Sequence, residues 1–161
     1  MYYAAENTPT AEQEPTLQND GWFPDMEPTA VREACLLEGT ITAGRLRPAL
    51  LDAMLTVNRQ LQDWADAQRG LGHASLAAMP GPSIGGESAR LVNYRRAVHA
   101  CLQADLAEAY RIQAFTPGGT GNGKQDGVKE QLALRQDEHR RNQRWAVADI
   151  MGKPHATVEL I

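Results

Sequence analysis

Cysteine and strand-forming sequence are both scarce in this 161-residue chain. The two cysteines, Cys35 and Cys101, lie in apolar helical patterns, and neither belongs to a CxxC or Cys/His cluster at metal-site spacing. They read as small buried hydrophobes, which fits a cytosol-assembled protein better than a secreted disulfide scaffold. No apolar run approaches the ~20 residues of a membrane helix, and no basic leader precedes one, so no membrane partner is expected. Catalytic signatures are missing too. There is no GxSxG, no HExxH and no close pair of carboxylates in a predicted pocket. Asp137, Glu138 and His139 are adjacent, but neighbouring helical positions point about 100° apart and cannot converge on one substrate. The residues ask for no enzyme, metal or cofactor.

The charge is uneven. Residues 1–38 carry eight acids against Arg32, a balance of −7, while residues 39–161 carry fifteen bases against twelve acids, a balance of +3. An acidic arm on a mildly basic body can contact a neighbouring copy, or can simply stay solvated. Residues 1–20 mix Pro, Thr, Glu, Gln and Asn with little to bury, which predicts a flexible N-terminal arm. Trp22-Phe23-Pro24-Asp25 ends it, either as a plug closing the core or as an anchor at a subunit contact.

A helical domain is expected over residues 21–153. One ordinary domain of this length buries roughly 70% of its unfolded surface. A short first helix starts at Pro28 and runs to Gly39. Thr42 is placed to cap a second, Ala43 to Arg69, whose Leu46, Leu50, Met54, Val57, Leu61 and Trp64 form one apolar face, with Pro48 close enough to the start to be tolerated. Residues 71–86 form a loop with room for one turn around Ser75–Met79, and His73 is exposed in it. A third helix opens near Gly86 and continues to Phe115, burying Leu91, Tyr94, Val98, Cys101, Leu102, Ala109 and Tyr110. His99 lies off the centre of that stripe, as a partly buried histidine without a second ligand.

Residues 116–127 hold five glycines and read as a flexible loop. Gly118 to Lys124 matches the GxxxxGK core of a phosphate-binding loop, but a helix precedes it, Gln125 stands where Ser or Thr should bind magnesium, and a turn-forming Asp126-Gly127 follows. A nucleotide-dependent enzyme using this loop is therefore the weakest of the readings. A fourth helix spans Val128 to Met151. Its middle, Arg135 to Arg144, has no apolar residue, so ordinary core burial cannot hold it. Water, a neighbouring subunit or a nucleic-acid channel would face it, and Arg140, Arg141 and Arg144 are too few to argue direct phosphate binding.

Gly152 stands where a left-handed helix cap is needed, and Pro154 forbids continuation. Beyond it His155, Thr157, Glu159 and Ile161 alternate with Ala156, Val158 and Leu160, the period of a strand. No comparable second strand is evident, so residues 154–161 are expected to pair outside their own chain by strand addition, or else to fray. The expected architecture is mainly α, a bundle of about four helices, two or three of them long, with a disordered N-terminal arm and an extended C-terminal tail.

Several blocks add a resemblance. Trp22-Phe-Pro-Asp25 with Val31-Arg-Glu33, Leu37-Glu38-Gly-Thr-Ile-Thr-Ala-Gly-Arg45-Leu46-Arg47, Gly86-Glu87-Ser88, Arg96-Ala97-Val98, Arg144-Trp-Ala-Val-Ala148 and Lys153-Pro154 resemble the phage head completion protein (GpL) family of contractile-tailed temperate bacteriophages. The Gly-rich loop is the chief departure. The resemblance implies a structural neck component of the virion, assembled in the host cytoplasm. It would dock beneath the portal protein after DNA packaging, form a dodecameric ring with neighbouring copies around a lumen that DNA passes through, and offer a surface to tail-side neck proteins. The interface residues would be His155, Ala156, Thr157, Val158, Glu159, Leu160 and Ile161, with Trp22, Phe23, Arg140, Arg141 and Arg144 at an interface or the lumen. A small helical DNA-binding packaging accessory or regulator is the alternative.

Overall fold

Helical periodicity of apolar residues sets the frame. A computed structural model describes residues 14–37, 41–114 and 124–155. In it four helices run in order: α1 (Pro28–Ala34), α2 (Ala43–Gly70), α3 (Ala89–Ala114) and α4 (Lys124–Met151). A two-residue hairpin, β1 (Ser83–Ile84) with β2 (Glu87–Ser88), precedes α3. The mainly α bundle is what the sequence predicts. The short N-terminal helix is also present, but it stops at Ala34 rather than Gly39, because Leu36 turns into the left-handed region at φ 55°. Among the described residues, no helix is long and apolar enough to cross a membrane.

The α2 stripe is buried as its spacing requires: Leu46, Leu50, Val57 and Leu61 are fully enclosed, and Met54 is nearly so. Thr42 occupies the cap position in extended geometry but makes no side-chain cap bond. Tyr94, Val98, Cys101 and Leu102 of α3 complete the core with Ala146, Val147 and Ile150 of α4. Antiparallel packing of α3 on α4 follows from the contacts of Arg90 with the Ile150 carbonyl (3.2 Å) and of Arg140 with Asp105 (2.5 Å).

Ala109 and Tyr110, expected inside, are exposed. Past Ala107 no described residue of α3 is buried, and none of α4 is buried before Gln143. The two helices therefore continue beyond the core as a hairpin of their own. Asp126-Gly127 is not a turn but lies within α4, which starts at Lys124.

At the other end, residues 14–20 pack against the domain instead of trailing from it. Leu17 is almost wholly buried, and its N–H and carbonyl exchange bonds with Met26 (2.8 and 3.0 Å). Asp20 turns the chain by accepting from the N–H groups of Trp22 and Phe23, both at 2.9 Å. The hairpin β1–β2 was not expected either. Its turn is Gly85-Gly86 at φ 59° and 84°, a pair of positive angles that a two-residue hairpin loop demands.

Candidate assembly surfaces

Trp22 and Phe23 are spent inside their own chain. Both are buried, set edge to face 4.9 Å apart, with Trp64 meeting Trp22 at 5.9 Å and Tyr94 stacked on Phe23 at 5.2 Å. The Trp22 indole N–H donates to the His73 carbonyl (3.0 Å), so the loop after α2 is tied to the plug, and His73 is only half-exposed. Of the two sequence readings, burial favours the plug.

Two polar devices hold the N-terminal segment in place. Arg32 clamps both carboxylate oxygens of Glu14 (2.6 and 2.9 Å) and the Ile41 carbonyl (2.5 Å). Its hydrogen bond, aided by its charge, holds the Glu14 carboxyl below the usual range. Asn19, Tyr94 and Asn58 close a ring: Asn19 Nδ2 donates to Tyr94 Oη (2.8 Å), Tyr94 to Asn58 Oδ1 (2.6 Å), and Asn58 Nδ2 to Asn19 Oδ1 (2.8 Å). Burial pushes the Tyr94 phenol well above its ordinary value. Sequence reasoning missed both; the one available signal was Arg32, the single base among the first 38 residues.

The polar stretch of α4 meets α3. Arg140 Nη2 binds Asp105 Oδ1, its Nη1 reaches Cys101 Sγ (3.7 Å) and Gln143 Oε1 (3.2 Å), and Gln143, only 2% exposed, donates to Gln60 of α2 (3.4 Å). Burial works against the Arg140 charge, yet Asp105 outweighs it and the guanidinium is held more firmly protonated than usual. Burial raises the Cys101 thiol to about 11, and desolvation alone does the same for Cys35. Arg140 is thus turned inward to its own chain, whereas Arg141 lies over the Trp145 ring at 5.0 Å and Arg144 is exposed.

A cleft of about 360 Å³ lies between α1, α3 and α4, lined by Arg95, Arg96, His99, Gln103, His139 and Asn142 among others. Burial, with the Arg95 charge behind it, lowers the His99 pKa, and burial lowers that of His139 despite Glu138. Arg95 pairs with Glu87, and Arg96 with Asp149 at 3.7 Å, so two of its cations already have partners. Among the described residues no group of three or more potential ligands could hold a metal ion.

The root of the C-terminal segment is built on the end of α4. Gly152 at φ 69° and Lys153 return their N–H groups to the Asp149 (3.2 Å) and Ala148 (2.9 Å) carbonyls, closing the helix with the left-handed cap that the sequence predicts. His155 then folds back flat on Trp145, ring centroids 4.9 Å apart and planes 1° from parallel, and its Nε2 lies 2.8 Å from Asp149 Oδ1. Trp145 thus contacts both the Arg141 guanidinium and the His155 imidazole. The strand pattern expected at Ala156, Thr157, Val158, Glu159, Leu160 and Ile161 lies outside the described residues.

These features describe a helical body with polar seams and a clasped tail root. The family model described as phage head completion protein (GPL) matches residues 17–161. A head completion/stabilization protein of Escherichia phage P2 is 37% identical over 151 residues, covering 94% of this chain and 86% of that one. No solved structure matches the chain. A match that begins at buried Leu17 and takes in the plug, all four helices and the tail root covers the whole described domain, and on that extent the chain belongs to the phage head completion protein (GPL) family.

Proposed function

We propose that the chain is a non-catalytic connector of the virion neck, docking beneath the portal after packaging, ringing the DNA passage with copies of itself and presenting a surface to tail-side proteins. Its family and its relative, named for completing and stabilising the head, support a structural role there. The observation that supports the attachment is the clasp at His155, which holds the last described residue against Trp145 and Asp149 at the end of α4. Residues 156–161 alternate as a strand does and serve as the element that reaches a portal or neighbouring-subunit surface. Deleting residues 156–161 keeps the clasp and the helical signal, and binding to portal is expected to be lost in a co-sedimentation assay. Unimpaired docking of the truncated chain would refute the role given to the tail.

The alternative of a DNA-binding accessory has less behind it, because Arg140 is paired with Asp105 and Arg141 with an aromatic face. Tight, salt-dependent binding of the isolated chain to bare duplex would reverse that preference.

A further inference from the structure

The tail root and the cleft between α1, α3 and α4 share a wall. Asp149 offers one carboxylate oxygen to His155 and faces Arg96 with the other at 3.7 Å, and Arg96 lines the cleft. His155 is stacked on Trp145, about two helical turns back from the cap at Gly152, so the chain is already travelling toward the start of α4 along the cleft's edge. The cleft's lining contains bases and amides but no carboxylate. His99, Gln103, His139 and Asn142 are half-buried there, and none has a side-chain hydrogen-bond partner among the described residues. Groups of this kind are matched by water or by a polar segment laid over them.

We propose that residues 156–161 lie in this cleft of their own chain until docking withdraws them, an inference whose meaning as storage rests on the reading of the tail as an attachment element. The register fits. His155 touches Trp145 and Asp149 and so stands level with about residue 147 of α4, and from there an extended chain advances about 3.3 Å per residue beside a helix that rises 1.5 Å. Thr157 comes level with about residue 143. The pairs Arg96–Asp149 and Asp105–Arg140 set α3 antiparallel to α4 with Gln103 at about the level of Asn142, so two amides meet a hydroxyl and an extended backbone. Glu159, on the same face of the segment as Thr157, comes level with about residue 138. His139 stands there. Arg135 and Glu138, both exposed, flank it with opposite charges, so the imidazole N–H is the donor that singles out this level for a carboxylate.

Length and charge both favour this occupant. From Asp149 to His139 the cleft follows α4 for about 15 Å, and six extended residues reach about 20 Å. Residues 1–13 would have to enter from Glu14, which Arg32 clamps and which borders a separate hollow with Glu27 and Glu33. That neighbourhood is acidic. A segment from a second copy would compete with one whose root is already bound alongside, and a short tether gives the attached segment an effective concentration of the order of millimolar.

The test is fluorescence anisotropy with a labelled peptide of residues 156–161, added to the chain lacking those residues and to the full-length chain. Saturable binding to the truncated chain is expected, and binding to the full-length chain at least about tenfold weaker, because the tethered copy already fills the cleft. A Glu159→Lys peptide binds the truncated chain several-fold more weakly, and His139→Glu in that chain restores it, a rescue that misfolding cannot imitate. Equal binding to both chains, no binding to the truncated chain, or masking relieved by removing residues 1–13 instead of 156–161 overturns the inference. Masking that fades on dilution of the full-length protein does so too, since the seat would then belong to a second copy. If the peptide fills the emptied cleft while the truncated chain still docks to portal, the resting place stands and the attachment role falls. If docking needs the tail but the peptide ignores the cleft, the attachment role stands and the resting place falls.

Discussion

Tyr94 and Asp105 sit on the same helix about three turns apart, and they belong to differently held parts of the molecule. Tyr94 is fully enclosed, stacked on Phe23 and bonded to asparagines from the N-terminal segment and α2. Asp105 is half-exposed and pairs across to Arg140 of α4; nearby Arg111 pairs with Glu108, while Glu108 Oε2 and Arg111 Nε are shielded from solvent with no hydrogen-bond partner among the described residues. Three helices and the plug meet at the first level, while beyond the core, among the described residues, α3 and α4 face each other. Apolar burial is non-directional and hard to screen; a half-exposed ion pair gives little and weakens with salt. The base should therefore unfold as a unit, and the distal hairpin should open first.

The largest test of that contrast is Trp22→Ala. It removes an indole packed by Phe23, Trp64 and the Arg69 guanidinium (5.2 Å), and it strips the His73 carbonyl of its donor. A loss of about 3–5 kcal/mol in urea unfolding is expected. A loss no larger than that from a distal substitution would erase the distinction between the two ends.

Tyr94→Phe keeps the stack and deletes one hydroxyl. Asn19 and Asn58 each lose a partner in a part-buried ring, so about 1–2 kcal/mol is expected by the same measurement. Arg140→Ala should cost about 1 kcal/mol or less, discounted because both Arg140 and Asp105 are more than a third exposed. Its signature is local. Amide exchange should quicken in the described distal turns of α3 and α4 and stay unchanged around Tyr94, and raising the salt should mimic the substitution.

How far these two ends could be read beforehand differs for a physical reason. The stripe from Leu46 to Leu61 and the cap at Gly152 follow from period and local backbone geometry, so both were legible. The polar middle of α4 was legible as an anomaly, but its resolution was not. Arg140 finds Asp105 thirty-five residues away, and no local pattern encodes that pairing. Leu17 is one apolar residue in a polar stretch and gains its burial only through the bridge to Met26. The hairpin at residues 83–88 has two-residue strands, too short to show alternation. His155 belongs by sequence to the strand pattern of the tail, whereas its clasp on Trp145 and Asp149 depends on the chain turning back after Gly152.

Acid should affect the base through one well-defined clamp. Glu14 is 17% exposed, and its pKa is lowered in the folded chain by Arg32, so the clamp contributes fully above the unfolded value of 4.5 and is lost as pH falls through the folded one. Glu14→Gln should flatten the fall of the thermal midpoint below pH 4.5 and lower the midpoint slightly at pH 7. An unchanged acid limb would mean that Glu14 does not contribute.

The smallest effect has the opposite sign. Leu36 adopts φ 55° just past α1, where its N–H returns to the Glu33 carbonyl (3.3 Å) and the next N–H to that of Arg32 (2.9 Å), the same closure that Gly152 gives α4. Its side chain is 87% exposed, so little packing is lost on removing it. The left-handed region costs an L-residue roughly 1–2 kcal/mol, and glycine gives part of that back through the entropy of the unfolded chain, roughly 0.5–1 kcal/mol. Leu36→Gly should therefore stabilise the fold by about 0.5 kcal/mol, read as a small rise in urea midpoint with an unchanged slope. Because α1 belongs to the base, distal amide exchange by local opening should not respond. A matching slowdown there would show that the hairpin opens only with the whole molecule, and the two ends would then be one cooperative unit.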